Sequence, residues 1–559
     1  MSKYPKYIYP GKIPIENRTW PDKVLTHSPV WCSVDLRDGN QALPIPMNPK
    51  QKMRYFKMLL EIGFKEIEVG FPSASQDDFD FVRRLIEENH IPDDVKISVL
   101  TQAREHLIAR TVESLKGAKQ SIVHCYVATS DLHGRMVFNK DHEGVCKMAI
   151  DGTELTRTIL QQEGMKDCVG YEFSAEEFTD SDINFAVDVC NAVKETWGDA
   201  EKSDFILNLP ATVERRPPYQ YADMIEYFCS NYKYTDQTTV SIHAHNDQGC
   251  AVAASEMALM AGADRVEGTL FGHGERTGNV DLVTLSLNLH ARGIDTGLDF
   301  SDMNNIIRTV EESSLIGVHE RHPYAGNLVF TAFSGSHQDA IMKGIVNKEK
   351  SSEEFHQGWK VPYLHIDPAD VGREYERLIR INSQSGKGGA AYILEHEFGY
   401  FTPKGMHPEI GGMVQRIADE KGLEVNSEEL LDAFKNEFIN PPVKYEMAQF
   451  EREHSDDPNT VRVHLNIKVD GVEKDITGDG NGPISATVNA LKTLDEIIDF
   501  TLDDFIEQSL GHSADATAIA YISVRRAADE KKFFGAGEHV NIDKAAIKAV
   551  FAALNRASI

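Results

Sequence analysis

The sequence predicts an α/β protein: a (β/α)8 TIM barrel, then a small helical linker region, then a C-terminal α+β domain. The barrel rests on strict alternation. Strand-like runs at 30–36, 66–71, 96–100, 121–128, 169–173, 205–209, 239–245 and 265–270 are each followed by a stretch with helical spacing. Eight such units in about 265 residues fit a closed barrel better than an open sheet. The second observation is that polar residues gather where these strands end, the face on which barrels carry their sites. The third is the two-residue alternation of Val461, Val463, Leu465, Ile467 and Val469, the mark of a half-buried antiparallel strand in a different kind of domain.

The elements follow in order. Residues 1–28 are rich in Pro and Tyr, lack periodicity, and are expected to form an extended arm. The barrel is expected over 29–300, its first helix running from Pro49 to Ile62 with Met53, Phe56, Leu59 and Leu60 on one face. Over 301–440, helical patterns near 301–315, 367–381 and 409–421 alternate with polar, Gly-rich pieces, the linker region. Residues 441–458, with Pro441-Pro442 and a charged run, read as a hinge into the last domain, 441–559. There, Gly478-Asp-Gly-Asn-Gly482-Pro483 and Gly535-Ala-Gly537 begin 57 residues apart. Each is expected to open a helix, the first to Ile498 and the second over 542–555, which makes the domain a two-fold repeat with room for a small ligand.

Composition narrows the function. With 41% hydrophobic and 26% charged residues, the 559-residue chain is of ordinary globular make-up. A net charge of −29 argues against nucleic acid or an anionic membrane as partner. No apolar run approaches the ~20 residues of a membrane helix, and the first residues lack the apolar core of a secretion signal. The seven cysteines are scattered, with no Cys-x-x-Cys, which fits a reducing, cytoplasmic setting.

Ser241-Ile-His-Ala-His-Asn-Asp247 carries the chemistry. In a strand, His243 and His245 point to the same side, and two imidazoles on one face are half of a metal site. Asp38, after the first strand, and Asn279, after the eighth, converge with them because strands 8 and 1 adjoin when a barrel closes. This mixed N/O set suits a divalent metal, Mg2+, Mn2+ or Zn2+, without choosing among them. Such an ion would chelate a 2-oxo acid and polarise its carbonyl. Arg37 would add positive charge beside the oxygen that becomes an alkoxide.

Several motifs then converge on a family. Leu36-Arg-Asp-Gly-Asn-Gln41, His243-Ala-His-Asn-Asp247 and Gly274-Glu-Arg-Thr-Gly-Asn279 resemble the signatures of barrel metalloenzymes that make or break carbon–carbon bonds next to a carboxylate. Within them the chain resembles the long-form 2-isopropylmalate synthase family, through Gly70-Phe-Pro-Ser-Ala-Ser-Gln76, Asn208-Leu-Pro-Ala-Thr-Val213, Thr331–Ala340, Ser383–Gly389, Gly480-Asn-Gly-Pro483 and Leu510–Ala516. The resemblance implies condensation of acetyl-CoA with 3-methyl-2-oxobutanoate, thioester hydrolysis to (2S)-2-isopropylmalate and CoA, and feedback inhibition by leucine. It places metal ligands on Asp38, His243, His245 and Asn279, and oxo-acid contacts on Arg37, His124, Ser174 and Thr212. Base machinery falls on Glu176, His337 and Tyr363, with Glu172 on the same strand face as Ser174 a substitute for Glu176. The effector turn falls on Gly480, Asn481 and Gly482, and an intertwined homodimer is implied. The Gly386–Gly389 loop is a turn by default, with a CoA-phosphate contact as its functional reading. Homocitrate or citramalate synthase, a lyase, and a leucine-sensing protein on an inactive barrel are the competing readings.

Overall fold

The computed structural model describes residues 7–348, 358–375, 387–421, 425, 427–454, 459–510 and 517–559. They fall into two compact units, Met1–Phe330 with His365–Tyr375, and Thr331–Leu364 with Glu376–Ile559, so the stretch 301–440 divides between them.

The first unit is a closed barrel of eight parallel strands in sequential order. These are β1 (Val30–Ser33), β2 (Glu66–Gly70), β3 (Lys96–Gln102), β4 (Ser121–Ala128), β5 (Val169–Glu176), β6 (Phe205–Ala211), β7 (Thr239–Ala244) and β8 (Arg265–Gly268). β1 closes the ring against β8, with Val30 opposite Arg265 and Ser33 opposite Gly268. The helices between are α1 (Pro49–Ile62), α2 (Gln76–Glu87), α3 (Glu105–Ser114), α4 (His142–Gln162), α5 (Ile183–Trp197), α6 (Pro218–Asn231), α7 (Ala251–Met260) and α8 (Leu282–His290). Local chemistry sets their ends. Asn48 and Gln51 form a capping box at the start of α1, and Gly63, in the left-handed region, ends it. The arm is pinned to α6: Trp20 is buried, its indole N–H donates to Asp223 at 2.9 Å, and Arg18 pairs with the same carboxylate. Helix α9 (Met303–Ser314) is the last long helix described in this unit, and of the helix expected near 367–381 the described residues hold a short 3-10 turn, Pro368–Val371, bracketed by Pro368 and Gly372. Residues 376–381 of that expectation lie outside the described residues.

The second unit contains α10 (Gly335–Lys348), α11 (Lys387–His396), α12 (His407–Lys421) and α13 (Ser427–Phe434), of which α10 falls where a polar loop was expected. It ends in two copies of one motif, a three-stranded antiparallel sheet plus a helix. Strands β9 (Tyr445–His454), β10 (Val461–Val469) and β11 (Val472–Gly480) precede α14 (Pro483–Leu491). Strands β12 (Phe500–Leu510), β13 (Thr517–Arg526) and β14 (Lys532–His539) precede α15 (Ile542–Ala557). Two corrections follow. The hinge read at 441–458 is largely β9, an edge strand whose charges face solvent while Tyr445, Met447 and Phe450 pack on the core. The Gly478–Pro483 stretch does open a helix, with Gly482 as the N-cap of α14 and Pro483 as its first residue, but that helix ends at Leu491 rather than Ile498. Gly478, Gly480, Gly535 and Gly537 themselves lie in strands, because each helix presses its backbone onto them. A Cβ on Gly478 would stand 2.4 Å from the Ala486 carbonyl, and one on Gly537 2.2 Å from that of Ala545. The motif segments 383–386 and 511–516 lie outside the described residues.

Candidate metal centre at the barrel mouth

The centre is assembled from strand ends. After β1 the chain makes a wide π-type turn, Asp35–Gly39, in which the N–H groups of Arg37, Asp38 and Gly39 all donate to the Val34 carbonyl. This turn places the Arg37 and Asp38 side chains at the barrel mouth. β7 supplies His243, and His245 follows directly after it; their ring centroids are 5.2 Å apart. Asn279 is bridged to His245 through the backbone. The loop that delivers it needs glycine: Gly274 has φ +150°, and a Cβ there would lie 2.2 Å from Asn279 Nδ2.

Nε2 of His243 and Nε2 of His245 are 3.5 and 3.9 Å from Asp38 Oδ2. The ligand atoms of these three residues all lie within 4.8 Å of one another, and each residue is buried. Asn279 Nδ2 donates to Asp38 Oδ2 at 2.8 Å and to the His273 carbonyl at 3.0 Å. Asn279 Oδ1 and His245 Nδ1 are buried with no hydrogen-bond partner. Buried polar atoms rarely stay unsatisfied, so the orphaned Asn279 oxygen, beside a carboxylate and two imidazoles, fits a divalent cation. Burial and neighbouring His243 push the pKa of His245 down to about 4, which favours the neutral ring with one nitrogen lone pair. Asp38 is held well below the usual carboxylate range, since Arg37 and His243 outweigh its burial.

Beneath the mouth lies a largely buried ionic layer. Glu68 accepts from Arg37 Nε and holds His124 Nδ1 at 2.6 Å. Glu267 Oε2 holds His243 Nδ1 at 2.8 Å. Arg265, with no exposed surface, donates to Glu66 at 2.6 Å, to Glu267 at 2.7 Å, and to both oxygens of Glu172 at 3.2 and 3.3 Å. Burial, with Glu267 opposing the pull of Arg265, raises Glu172 well above its ordinary range.

A cavity of about 330 Å3 opens above this layer, lined by Arg37, Asp38, His124, Ser174, Glu176, Thr212, His243 and His245, among others. Eight of the residues picked from the sequence thus share one space, and Asn279 abuts it through Asp38. Glu176 lines the cavity and burial raises its pKa. Glu172, its proposed substitute, is instead locked onto Arg265 in the layer below. Thr212 Oγ1 accepts from the Glu177 N–H at 2.9 Å, and Ser174 Oγ accepts from Asn208 Nδ2 at 3.0 Å. His337 and Tyr363 belong to the second unit, where their rings stack at 4.2 Å beside a separate cavity. Gly480, Asn481 and Gly482 bridge the end of β11 and the start of α14, with Gly482 as the helix N-cap. Arg265 and Glu267 had been missed. Their signal was present: a parallel barrel strand normally reads apolar, and Arg265-Val-Glu-Gly268 puts two charges into four buried positions.

Three family models match the chain: HMGL-like over residues 28–310, alpha-isopropylmalate synthase post-catalytic domain-like over 327–395, and LeuA allosteric (dimerisation) domain over 424–558. A 2-isopropylmalate synthase of Clostridium acetobutylicum is 46% identical over 562 residues, covering 100% of both chains. One of Azoarcus sp. is 48% identical over 549 residues, covering 98% of this chain and 94% of its own. Likeness of this extent, running from the barrel through to the duplicated domain, places the chain in the 2-isopropylmalate synthase family.

Proposed function

We propose that the protein condenses acetyl-CoA with 3-methyl-2-oxobutanoate and hydrolyses the thioester, giving (2S)-2-isopropylmalate and CoA, the first committed step to leucine. The observation that carries this reading is the buried set Asp38, His243 and His245, with Asn279 hydrogen-bonded and Arg37 ion-paired to Asp38, at one cavity. These four would hold the divalent metal, Mg2+, Mn2+ or Zn2+, and the bound ion would supply Lewis acidity at the keto oxygen. Arg37, fixed by Asp38 and Glu68, places a permanent positive charge where the alkoxide forms. His124, Ser174 and Thr212 orient the oxo acid.

Base catalysis needs a group whose pKa lies near the working pH. Glu176, raised by burial, is suited to it, and His337 and Tyr363 are assigned to the same proton transfers. The acetyl methyl loses a proton, the resulting carbon attacks C2 of the oxo acid, and the new alkoxide is protonated. Water then cleaves the thioester, releasing the CoA thiol. The match of residues 424–558 to a LeuA allosteric (dimerisation) domain supports a homodimer and leucine as effector, with the Gly480–Gly482 turn as its contact. No described helix is long and apolar enough to cross a membrane, and a cytoplasmic setting agrees with the seven unpaired cysteines.

The test is thiol release from acetyl-CoA with a panel of 2-oxo acids. Turnover should rise as the side chain grows from methyl to isopropyl. Preference for pyruvate would make the protein a citramalate synthase, and preference for 2-oxoglutarate a homocitrate synthase. Absence of thiol release with every acid would favour the leucine-sensing reading.

A further inference from the structure

The two imidazoles at the mouth are not held alike. His245 Nδ1 has no hydrogen-bond partner. His243 Nδ1 meets Glu267 Oε2 at 2.8 Å, and that carboxylate is itself fixed. Asn208 Nδ2 donates to the same oxygen at 3.1 Å, and Arg265 Nη1 donates to the other at 2.7 Å. The arrangement is dictated by strand register: His243 on β7 sits directly beside Glu267 on β8, and Arg265 lies two residues earlier on the same face of β8. Glu267, Arg265 and Asn208 are each at most 2% exposed, so the clamp is shielded from water. A carboxylate can only accept. Bound this way, it keeps a proton on His243 Nδ1, so Nε2, the nitrogen facing Asp38, is the one that gives up its proton to offer a lone pair to a cation.

We propose that Glu267, braced by Arg265 and Asn208, is a positioning residue that fixes the tautomer and ring angle of His243 and thereby sets the affinity of the centre for its divalent cation. The inference rests on the metal reading above and adds to it an unequal division of labour. One imidazole is pre-set by a buried ion pair, and the other is free to adjust. Outer partners of metal-ligating histidines are worth about 10- to 100-fold in metal affinity. Glu267→Gln should therefore weaken the site by roughly that factor. Its amide cannot accept from His243 without turning its own N–H2 onto the Arg265 guanidinium, two donors face to face.

The experiment is calorimetric titration of the metal-free full-length protein with Mn2+ alone, wild type against Glu267→Gln, with thermal melting as a control on folding. The expected result is a Kd for Mn2+ raised about 10- to 100-fold in a variant that still folds. A folded Glu267→Gln protein with wild-type affinity overturns the proposal. If that variant fails to fold, histidine-selective 15N spectra of the Zn2+-loaded wild type decide instead. A proton on His243 Nδ1 supports the clamp, and a proton on Nε2 overturns it. Should the wild type itself take up neither Mn2+ nor Zn2+, the metal reading falls and the positioning role with it, an outcome distinct from loss in the variant alone.

Discussion

At the heart of the barrel the fully buried side chains include Arg265, Glu68, Glu172 and Glu267, whereas the buried polar side chains described after residue 440 are Thr487, Ser523 and Asn555, none of them charged. The two regions use burial for different ends. Burying an ion costs several kcal/mol that its partner seldom returns in full, so an ionic layer under eight strands is a poor way to gain stability. It does orient groups, since every carboxylate in it touches either a second charge or a histidine of the mouth. The duplicated domain instead packs Val463, Leu465, Ile467, Ala486, Ala490, Val524, Ala549 and Val550 into a continuous apolar core. Hydrophobic contact of this kind is non-directional and stabilises in proportion to area. Chemistry is to be sought where charge is buried at a cost, and stability where helices pack closely on glycine-bearing strands.

The sharpest way to break this contrast is at the mouth. His243→Ala should lower turnover by more than about 100-fold with little change in melting temperature, and dialysis against a chelator should do the same until Mn2+ or Zn2+ is returned. Undiminished thiol release in that variant would remove the metal from the account. Next in size, Arg265→Met leaves Glu267 and Glu172 buried without their cation. Breaking one side of a buried ion pair costs about 3–5 kcal/mol, read as a lowered denaturation midpoint of the barrel. A neutral result would show that the layer holds no uncompensated charge.

In the other region, Gly537→Ala would drive a methyl against the Ala545 carbonyl and lift α15 from β14. Overpacking of this kind costs about 1–3 kcal/mol, and the loss should appear in thermal melting while uninhibited turnover stays unchanged. Asn481→Ala tests the effector turn, with the leucine concentration for half-inhibition rising by about 10-fold; a curve that superimposes on wild type would place the effector elsewhere. Smallest is a pH effect. Burial raises Glu176, so a base at this position must lose its proton before it acts. The acidic limb of kcat/KM should then lie above the ordinary carboxylate value of about 4.3 and vanish in Glu176→Gln.

Alternation of strand and helix was enough to find the barrel, because a parallel strand needs a crossover helix before the next and each leaves its own periodicity in the chain. Pro49–Ile62 and Ser121–Ala128 were legible to the residue. So was the gathering of Asp38, His243, His245 and Asn279, since closure of eight strands makes the last and first neighbours. Gly535-Ala-Gly537 misled because glycine serves both a helix-opening turn and a strand under a close-packed helix, and only the neighbour tells them apart. Charged residues 446–453 masked β9, because an edge strand keeps one face in water.

The order of residues thus determined which side chains could reach the mouth, through period and strand count alone. Tertiary structure decided which partner each one has. Arg265, Glu267 and His243 are a working unit only because β7 and β8 pair in one register. A shift of β8 by one residue would turn Arg265 and Glu267 away from His243, and no local pattern in the chain fixes that register before the barrel closes.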